Sequence, residues 1–515
     1  MKFRRRQPLS TNRKSRRSRV RVIPAPAGGL NARDSLDNMP QSDAVALENW
    51  WPTQSGVVTR PGTDEFCDTG GGANSIAVMI PYEHTGLSKL LAACNGVIYE
   101  VSTGTAVSLA TGLTGNNWVS SFLSGLIIMA NGADVVKSYN GSTIASPAFT
   151  GVTLTNLNFV TTYKSRLYFV EKQTKKMWYG GTGSVAGALT SFDFSTVIAA
   201  KGDLMLVGHL SGDGGDGGQD DVFVAIFAGG TVAAYTGSDP GDATNWALLG
   251  VFEIGRPLSR LGVVQSEDDF YLVTTRGYEK LSQVMRFGRS LGNARLVSDK
   301  IQSMVNTDVE FLGASDNWRL HIWPTSQMLI ATVPYTGSAK VLHAQNLNTK
   351  AWAKFSSVPA VSWAQLGKNC YFGANDGKVY SFSFSHTSDD GTRIRSTAQP
   401  AWSALGYKGY HKSLKFIRPL LRSAVIPSMA VSAGADFEDV FYGTFDAADA
   451  DSGSSEWGEA VWGTAVWGGG DRVANRVFQG LVEGQEIGIR FTVDVTSSPV
   501  RWHSTGVIFE LGGLL

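Results

Sequence analysis

Cysteines and long apolar runs are scarce in this sequence, and each shortage excludes a class of protein. The 515 residues include three cysteines, Cys67, Cys94 and Cys370, which are too few and too scattered for a disulfide framework or a zinc site. This favours assembly in a reducing compartment. No apolar run reaches the roughly 18 residues that a membrane-spanning helix needs. The basic start of the chain leads to a Pro-Ala-Pro sequence rather than an apolar stretch, so we expect no secretory signal.

The sequence also lacks the signatures of common catalytic and metal-binding sites. No Gly-x-Ser-x-Gly elbow is present, and the seven histidines show no metal-ligand spacing. The Asp-rich stretch from Gly212 to Asp221 resembles a calcium-binding loop but lacks the spacing of an EF-hand, so a hairpin tip is favoured over a cation site. Residues 388–392 resemble the Asp-box turn of sialidase propellers without its aromatic residue, which favours a simple turn. We therefore expect a protein without enzymatic activity and without a cofactor.

Glycine and short apolar runs are abundant, and together they predict an all-β protein. The chain contains 59 glycines with no collagen-like period, which indicates many turns. Between residues 75 and 400, short runs of Val, Ile, Leu, Phe and Tyr alternate with Gly, Asn, Asp and Ser turns. Amphipathic helix patterns are nearly absent there. A chain of this length exceeds one ordinary core, so we expect additional β-domains beside the main body.

Two short sequence motifs, each containing a tyrosine, alternate along this region at intervals typical of propeller blades. One is an apolar residue, Tyr, any residue and an apolar residue, and the other is Tyr-x-Gly-Ser at the end of a strand. Steps of 29 to 67 residues span the roughly 40–50 residues of a four-stranded blade. We therefore predict an irregular β-propeller body, and the alternative is that Tyr and Gly are simply common in β-proteins. The seven tyrosines are Tyr99, Tyr139, Tyr168, Tyr235, Tyr271, Tyr335 and Tyr380.

The net charge of +1 hides an asymmetry between the start of the chain and the rest. Residues 1–22 carry ten basic side chains and no acidic one, so the remainder has 35 basic against 44 acidic residues, a net charge near −9. We predict a disordered basic arm that contacts DNA phosphates or an acidic protein surface, with a solvated tail as the alternative. The candidate contact residues are Arg4, Arg5, Arg6, Arg13, Lys14, Arg16, Arg17, Arg19 and Arg21.

The pattern changes beyond residue 400, where a separate C-terminal β-domain is predicted. Residues 412–425 indicate a basic and apolar strand or pair of strands, and residues 486–495 and 502–511 indicate two closing strands. Between them, Trp457, Trp462 and Trp467 recur every five residues beside glycines, a period that fits neither one helix face nor one strand face. These three are candidate interface residues, and burial in a core is the alternative.

The sequence thus divides into four segments. Residues 1–22 form the basic arm, 23–66 an extended docking segment, 67–400 the propeller body and 401–515 the C-terminal β-domain with Trp-Gly loops. Within the docking segment, Ser42 in a capping position predicts a short helix that runs to Asn49. A strand is predicted at residues 57–59.

The docking segment carries a resemblance to a known family. Pro-Ala-Pro-Ala-Gly-Gly-Leu-Asn at residues 24–31 is followed by residues 38–44, 47–52 and 60–62 in a distinctive order and spacing. These resemble the start of the tail nozzle proteins of short-tailed bacteriophages, also called tail tubular protein B or packaged-DNA stabilisation proteins. The resemblance covers about 39 of the 515 residues. The rest of the chain is similar in its β-rich, Gly-rich character and its late Trp-Gly repeats.

The resemblance implies a non-enzymatic part of the virion, assembled in the host cytoplasm. Such proteins form a hexameric ring below the portal and adaptor, contact tail fibre, spike or needle components and enclose the DNA channel. Contact with the passing DNA is expected to be transient and non-specific. The docking segment is expected to lie across a neighbouring subunit or the adaptor. Its candidate residues are Leu30, Asn31, Met39, Trp50, Trp51 and Arg60.

Two other functions remain open on the sequence. One is a carbohydrate-binding or carbohydrate-cleaving propeller of a receptor-binding tail component, which requires aromatic residues and carboxylates gathered on one propeller face. The other is a propeller scaffold of the host.

Overall fold

The computed structural model describes residues 18–214, 218–266, 269–287, 296–335, 340–438, 441–446, 472–474 and 476–514. Within these ranges the chain consists mainly of β-strands, which confirms the predicted all-β class. In the same residues no helix is both long enough and apolar enough to cross a membrane.

Six strands precede the propeller in the chain, and they do not form one extended segment. They are β1 (Ser18–Pro24), β2 (Gly29–Leu30), β3 (Asp43–Glu48), β4 (Trp50–Thr53), β5 (Gly56–Thr59) and β6 (Gly62–Asp68). Strand β5 confirms the strand predicted at 57–59.

The short helix predicted from Ser42 is wrong, because these residues form β3. Strand β3 lies inside a large sheet, where Ala44 and Leu47 are buried and the backbone pairs with residues 397–400. The Ser42 hydroxyl contacts the Asp43 carboxylate rather than capping a helix. Pairing with distant strands thus outweighs the local capping signal.

Six small sheets stand in a ring as the blades of a β-propeller. Blade 1 contains β7 (Val78–His84), β8 (Leu87–Cys94), β9 (Val97–Glu100) and β10 (Val107–Ala110). Blade 2 contains β11 (Val119–Leu123), β12 (Leu126–Ala130), β13 (Lys137–Tyr139) and β14 (Ile144–Ala145). Blade 3 is accompanied by the small parallel pair of β15 and β19. Together they comprise β15 (Phe149–Thr150), β16 (Leu157–Tyr163), β17 (Arg166–Glu171), β18 (Lys176–Tyr179), β19 (Gly187–Ala188) and β20 (Thr190–Asp193).

Blades 4 and 5 follow blade 3 around the ring. Blade 4 contains β21 (Leu204–Gly214), β22 (Gly218–Phe227), β23 (Thr231–Gly237) and β24 (Trp246–Glu253). Blade 5 contains β25 (Val263–Ser266), β26 (Asp269–Thr274) and β27 (Gly277–Lys280), and is followed by helices α1 (Leu281–Phe287) and α2 (Gln302–Leu312). Short 3-10 turns occur at Leu154–Asn156, Phe194–Thr196, Asp299–Ile301 and Pro324–Ser326.

Four strands of a larger sheet occupy the place in the ring between blades 5 and 6. They are β28 (Arg319–Trp323), β29 (Met328–Val333), β30 (Val341–Asn346) and β31 (Trp352–Ser356). Strand β28 packs against β25 of blade 5 and against the first strand of blade 6. Blade 6 contains β32 (Ala360–Leu366), β33 (Asn369–Ala374) and β34 (Lys378–Ser383), with β6 as its outermost strand. The predicted boundary between residues 66 and 67 therefore falls inside a propeller strand.

The remaining strands build the C-terminal part and join it to the propeller. They are β35 (Ile394–Pro400), β36 (Tyr410–Ser423), β37 (Ser428–Ala435), β38 (Tyr442–Asp446), β39 (Arg472–Ala474), β40 (Phe478–Gln479), β41 (Glu483–Gly484), β42 (Ile487–Val495) and β43 (Arg501–Leu514). The larger sheet runs in the order β28-β29-β30-β31-β3-β35-β42-β37-β38. A second sheet, called here the C-terminal sheet, runs β39-β36-β43-β5-β4, with β1 also paired to β43 and with β40 and β41 also paired to β36. Strands β36, β42 and β43 confirm the three regions predicted there.

The seven tyrosines of the two alternating motifs are distributed around the ring, one to each blade or strand group. Six lie one in each blade, and Tyr335 directly follows β29 of the four strands between blades 5 and 6. Their strand positions differ, since Tyr168 and Tyr271 lie on the second strand of a blade and the others of the six on the third. The recurrence therefore marks successive blades without marking equivalent positions.

Trp50 is central to the packing between the two large sheets. Its side chain is fully buried, with ring centroids 6.1 Å from Phe491 and 5.9 Å from Trp502. We expect Trp50→Ala to lower the free energy of unfolding by about 3–5 kcal/mol, because it leaves a large cavity. Trp50→Phe keeps an aromatic ring and removes an indole N–H without a hydrogen-bond partner, so it should cost less than half as much. Denaturant unfolding followed by tryptophan fluorescence measures both, and equal losses would contradict the packing role.

Candidate interaction surface

The predicted basic contact residues divide between the described and undescribed parts of the chain. Arg19 and Arg21 lie on β1, with exposed side chains. The other seven, Arg4, Arg5, Arg6, Arg13, Lys14, Arg16 and Arg17, lie outside the described residues. The prediction of disorder through residue 22 is wrong for residues 18–22, because these pair with the last strand of the chain.

Strand β1 is held along one edge only. Residues 18–24 pair antiparallel with residues 504–510 of β43, and in the described residues β1 has no second neighbouring strand. The Arg19 guanidinium lies 4.7 Å from the centre of the Tyr407 ring and donates to the Tyr407 hydroxyl. The backbone groups along the other edge of β1 are thus left for solvent or for another chain.

The outward face of the C-terminal sheet is unusually apolar. On β36, the side chains of Phe416 and Leu420 are 42% and 41% exposed, while Val20 and Val22 of β1 are 70% and 59% exposed. Ile508 of β43 pairs with both Val20 and Phe416, so these three side chains form one row across three strands. A row of apolar side chains facing solvent is typical of an interaction site.

A groove runs beside this row at the edge of the sheet. It has a volume of about 610 Å³ and is lined by Phe416, Ile508 and residues 479–483. Leu481, at the rim, is among the most exposed large apolar residues described. The groove adds a concave feature that a protruding partner side chain can fill.

Positive charge surrounds the apolar row. The strands of the C-terminal sheet, including β1, contain eight Lys and Arg residues against two acidic ones. Six arginines are exposed, namely Arg19, Arg21, Arg418, Arg422, Arg472 and Arg501. By register, Arg418, Arg422 and Arg501 share the side of Phe416, whereas Arg19, Arg21 and Arg472 project to the other side of the sheet. We call the face formed by Arg418, Arg422, Arg501, Val20, Val22, Phe416, Leu420, Ile508 and the groove the basic-apolar face.

Sequence reasoning missed most of this face, although a signal was present. Phe416, Arg418, Leu420 and Arg422 occupy alternate positions of β36, and the residues between them are buried. In a strand, alternate residues point to the same side of the sheet. The two-residue period thus identifies an apolar and basic outer row, but not its neighbours from β1 and β43.

The docking-segment candidates lie in the interior of the chain's own fold. Each is 6% exposed or less, so these side chains are not available to a neighbouring subunit; they are Leu30, Asn31, Met39, Trp50, Trp51 and Arg60. The prediction that they contact a partner is wrong for this structure. The physical reason is that residues 23–66 supply strands to both large sheets and to blade 6.

Arg60 ties three distant parts of the chain together. Its Nη1 and Nη2 atoms donate to the two carboxylate oxygens of Asp389, at 2.9 and 2.5 Å. Nε donates to the side-chain oxygen of Asn49, and the remaining donors reach the carbonyl oxygens of Pro61 and Ser356. All five guanidinium N–H groups therefore have acceptors, as a buried charge requires. Asp389 belongs to the Asp-box-like turn, so the role of that turn is to hold Arg60.

The glycines of the Pro-Ala-Pro-Ala-Gly-Gly-Leu sequence are required by close packing. Gly29 has a φ of +82°, and a Cβ atom there would lie 2.6 Å from the backbone nitrogen of Trp352. Asn31 donates to the Asp43 carboxylate at 2.8 Å, and Lys300 pairs with the same carboxylate at 3.0 Å. The segment that carries the family resemblance is thus a buried connection between the sheets of the fold.

The other predicted sites lie wholly or partly outside the described residues. Trp457, Trp462 and Trp467 lie outside the described residues, and so do residues 215–217 in the Asp-rich hairpin, whose flanking strands β21 and β22 pair as predicted. In the described residues, no group of three or more His, Cys, Asp or Glu side chains is placed to hold a metal ion.

Similarity to known proteins is found among solved structures, at low sequence identity. No protein-family model matches the chain, and no curated protein matches it. Among solved structures, YCF48 bound to a D1 peptide is 9% identical, with a TM-score of 0.39 over 67% of this chain and 99% of that one. YCF48 from Cyanidioschyzon merolae is 10% identical, with a TM-score of 0.38 over 62% and 98%. A chain of the mitotic checkpoint complex is 11% identical, with a TM-score of 0.40 over 63% and 93%.

Proposed function

We propose that this chain is a structural subunit of the tail nozzle of a short-tailed bacteriophage, where copies form a ring around the DNA channel. Two features support the proposal. The ordered residues from Pro24 to Gly62 resemble the start of that family, and a β-propeller joined to a second β-unit suits a thick-walled ring. The observation that carries the proposal is the basic-apolar face, whose apolar side chains Val20, Val22, Phe416 and Leu420 are exposed in the described part of the chain.

The partner of the basic-apolar face in this proposal is a second copy of the same chain. Residues 23–515 have a net charge near −9, whereas the basic-apolar face presents the exposed arginines Arg418, Arg422 and Arg501. A positive face on one subunit is therefore complementary to the acidic body of the next. Contact between two different surfaces of identical subunits is heterologous, and it closes into a ring when the rotation allows.

The basic arm has a separate role in this proposal. Residues 2–17 carry eight of the ten basic residues of the arm and enter the fold at β1, beside the basic-apolar face. The arm then contacts an acidic surface of the adaptor or portal, or the phosphates of the DNA terminus. Either contact weakens as salt rises, because both depend on charge.

Truncation of the arm tests this role. Removing residues 2–17 leaves β1 intact, so the fold and the ring should persist while attachment of the ring to DNA-filled heads weakens. Ring occupancy on purified heads, measured across a salt series by electron microscopy, gives the result. A matched variant with the eight basic residues changed to Gln keeps the length of the arm. Full occupancy of both variants at ordinary salt would contradict the role of the arm.

The location of the chain in particles tests the function itself. We expect purified virions to contain this protein as a six-fold ring in the tail. A monomer in solution with no place in the virion would exclude the nozzle function and leave the scaffold alternative.

The carbohydrate alternative has a defined cavity but lacks the expected chemistry. A cavity of about 790 Å³, called here the asparagine cavity, lies between blades 1 and 6 and the four strands beside them. Its described lining includes six asparagines, one aromatic residue, Tyr335, and no carboxylate. A carbohydrate site is expected to combine several aromatic residues with carboxylates, so the nozzle function is preferred.

A further inference from the structure

A second, smaller cavity lies at the centre of the propeller ring. It has a volume of about 220 Å³ and is lined by the first strands of blades 1, 2, 3, 5 and 6 and by β28. Ten of its 14 lining residues are apolar, Trp118, Phe159, Leu320 and Trp363 among them, and the other four are Ser120, Ser362, Arg260 and Arg319. We call it the axial cavity.

Two arginines face this apolar wall without a carboxylate partner. Arg260 and Arg319 both line the axial cavity, and neither forms an ion pair with any described acidic residue. Arg319 is only 5% exposed. The Nε atoms of both side chains are buried and have no hydrogen-bond acceptor, which adds to the cost of burying them. Among the described residues, Arg260 Nη1 has no acceptor and Arg319 Nη2 donates to Asn117 alone, so each guanidinium group keeps a donor for a ligand.

Other donors of the two arginines are held by neutral groups. Arg260 Nη2 donates to the backbone oxygen of Asn117 at 2.9 Å, and Arg319 Nη2 donates to the Asn117 side-chain oxygen at 3.3 Å. Arg319 also donates to the backbone oxygens of Asp316 and Trp318. Because both side chains are held through Asn117, they stay close to each other when the cavity is empty.

This arrangement is electrostatically unfavourable as it stands. Burial lowers the pKa of Arg319 to about 10; Asp316 opposes that effect, and Arg260 adds to it. Burial also lowers the pKa of Arg260, and Asp316 again opposes the effect. Asp316 offsets part of the cost without forming an ion pair with either arginine. A buried charge without an ion-pair partner is costly, and two like charges in a largely apolar setting repel. An anion between them removes both costs.

We propose that the axial cavity binds a small oxyanion, of the phosphate or carboxylate class, between Arg260 and Arg319. Guanidinium N–H groups donate charge-assisted hydrogen bonds to the oxygens of both classes, here one group from each arginine. The apolar walls strengthen this contact by excluding water. A volume of about 220 Å³ is several times the roughly 30 Å³ share of one water molecule, which leaves room for such an anion.

The asparagine cavity provides the entrance to this site. It shares Ala77 and Arg319 with the axial cavity, so the two spaces meet at the Arg319 side chain. Because its described lining carries no carboxylate, an anion meets no like charge on the way in. The propeller thus has an amide-rich vestibule, with Lys340 in its wall, that leads to a cationic centre.

The test uses the full-length chain in chloride buffer, with inorganic phosphate and acetate as probes. Isothermal titration and thermal unfolding should show saturable binding of at least one probe, and the tighter of the two identifies the class. Arg319→Gln should abolish saturation, and Arg260→Gln should weaken binding at least tenfold. Arg256→Gln, which changes an exposed arginine on the same connection, should leave binding unchanged.

A direct measurement on the wild-type chain keeps the test valid even if a variant fails to fold. Crystals soaked in selenate should give an anomalous peak between the two guanidinium groups. The inference is overturned if neither probe saturates the wild-type chain, if Arg260→Gln binds as tightly as wild type, or if the selenate peak lies elsewhere.

Discussion

Replacing Phe416 and Leu420 together by Asp is expected to convert the proposed ring into monomers. Both side chains lie exposed on the basic-apolar face, so the change should leave the melting temperature of the single chain almost unaltered. Central apolar contacts of an interface commonly contribute 2 kcal/mol or more each. Loss of both weakens assembly by about 4 kcal/mol, which corresponds to roughly 1000-fold. Light scattering coupled to size-exclusion chromatography measures the oligomeric state directly.

The matched control for this experiment is Phe311→Asp. Phe311 lies on α2, far from the C-terminal sheet in sequence, and is 78% exposed. It presents a similar aromatic side chain without neighbouring rows of apolar and basic residues, so its replacement should leave assembly intact. If Phe311→Asp disrupts the ring while the double variant does not, the interface lies elsewhere. Disruption by both would point to a general effect of added negative charge.

Asp389→Ala is expected to destabilise the fold more than any other single charge removal considered. It leaves the guanidinium of Arg60, whose side chain is fully buried, without its counter-charge. Breaking a buried ion pair in this way costs about 3–5 kcal/mol, because the remaining charge stays in the interior. The midpoint of denaturant unfolding should fall accordingly. Proteolysis near the 388–392 turn should accelerate, since Arg60 holds that turn against the N-terminal strands.

Glu65→Ala supplies the comparison for the buried pair. Glu65 pairs with Lys378 across β6 and β34 of the same blade, but both side chains are about one third exposed. A pair of this kind contributes about 0–1 kcal/mol. If Asp389→Ala proves as mild as Glu65→Ala, the network around Arg60 does not hold the joint between propeller and C-terminal sheet. Asp389→Asn, which keeps an acceptor, should fall between the two.

Local sequence patterns predicted where the strands lie better than they predicted which strands pair with one another. The alternation of apolar and polar residues gave β36, β42 and β43 correctly, because a strand buried on one face shows its period in the sequence. The spacing of tyrosines likewise followed the blades. The capping signal at Ser42 misled, since β3 gains more from two neighbouring strands than from a short helix.

The candidate site residues show the same contrast between features that local sequence reveals and features that depend on distant contacts. Arg19 and Arg21 were identifiable by charge alone, and both lie exposed on β1. Arg60 was selected through the family resemblance, but its position in the interior depends on Asp389, which is 329 residues away in the sequence. No local pattern predicts that pairing.

The sequence by itself determined the all-β class, the many turns, the division of charge between arm and body and the alternating row on β36. These follow from short-range periodicity and composition, which each segment carries within itself. Only the tertiary structure decided that residues 23–66 are a buried joint, that Val20 and Ile508 extend the row of Phe416, and that Arg260 and Arg319 meet at the axis. Those outcomes depend on strand pairings between distant residues, whose free energies are set by the whole core and not by any one segment.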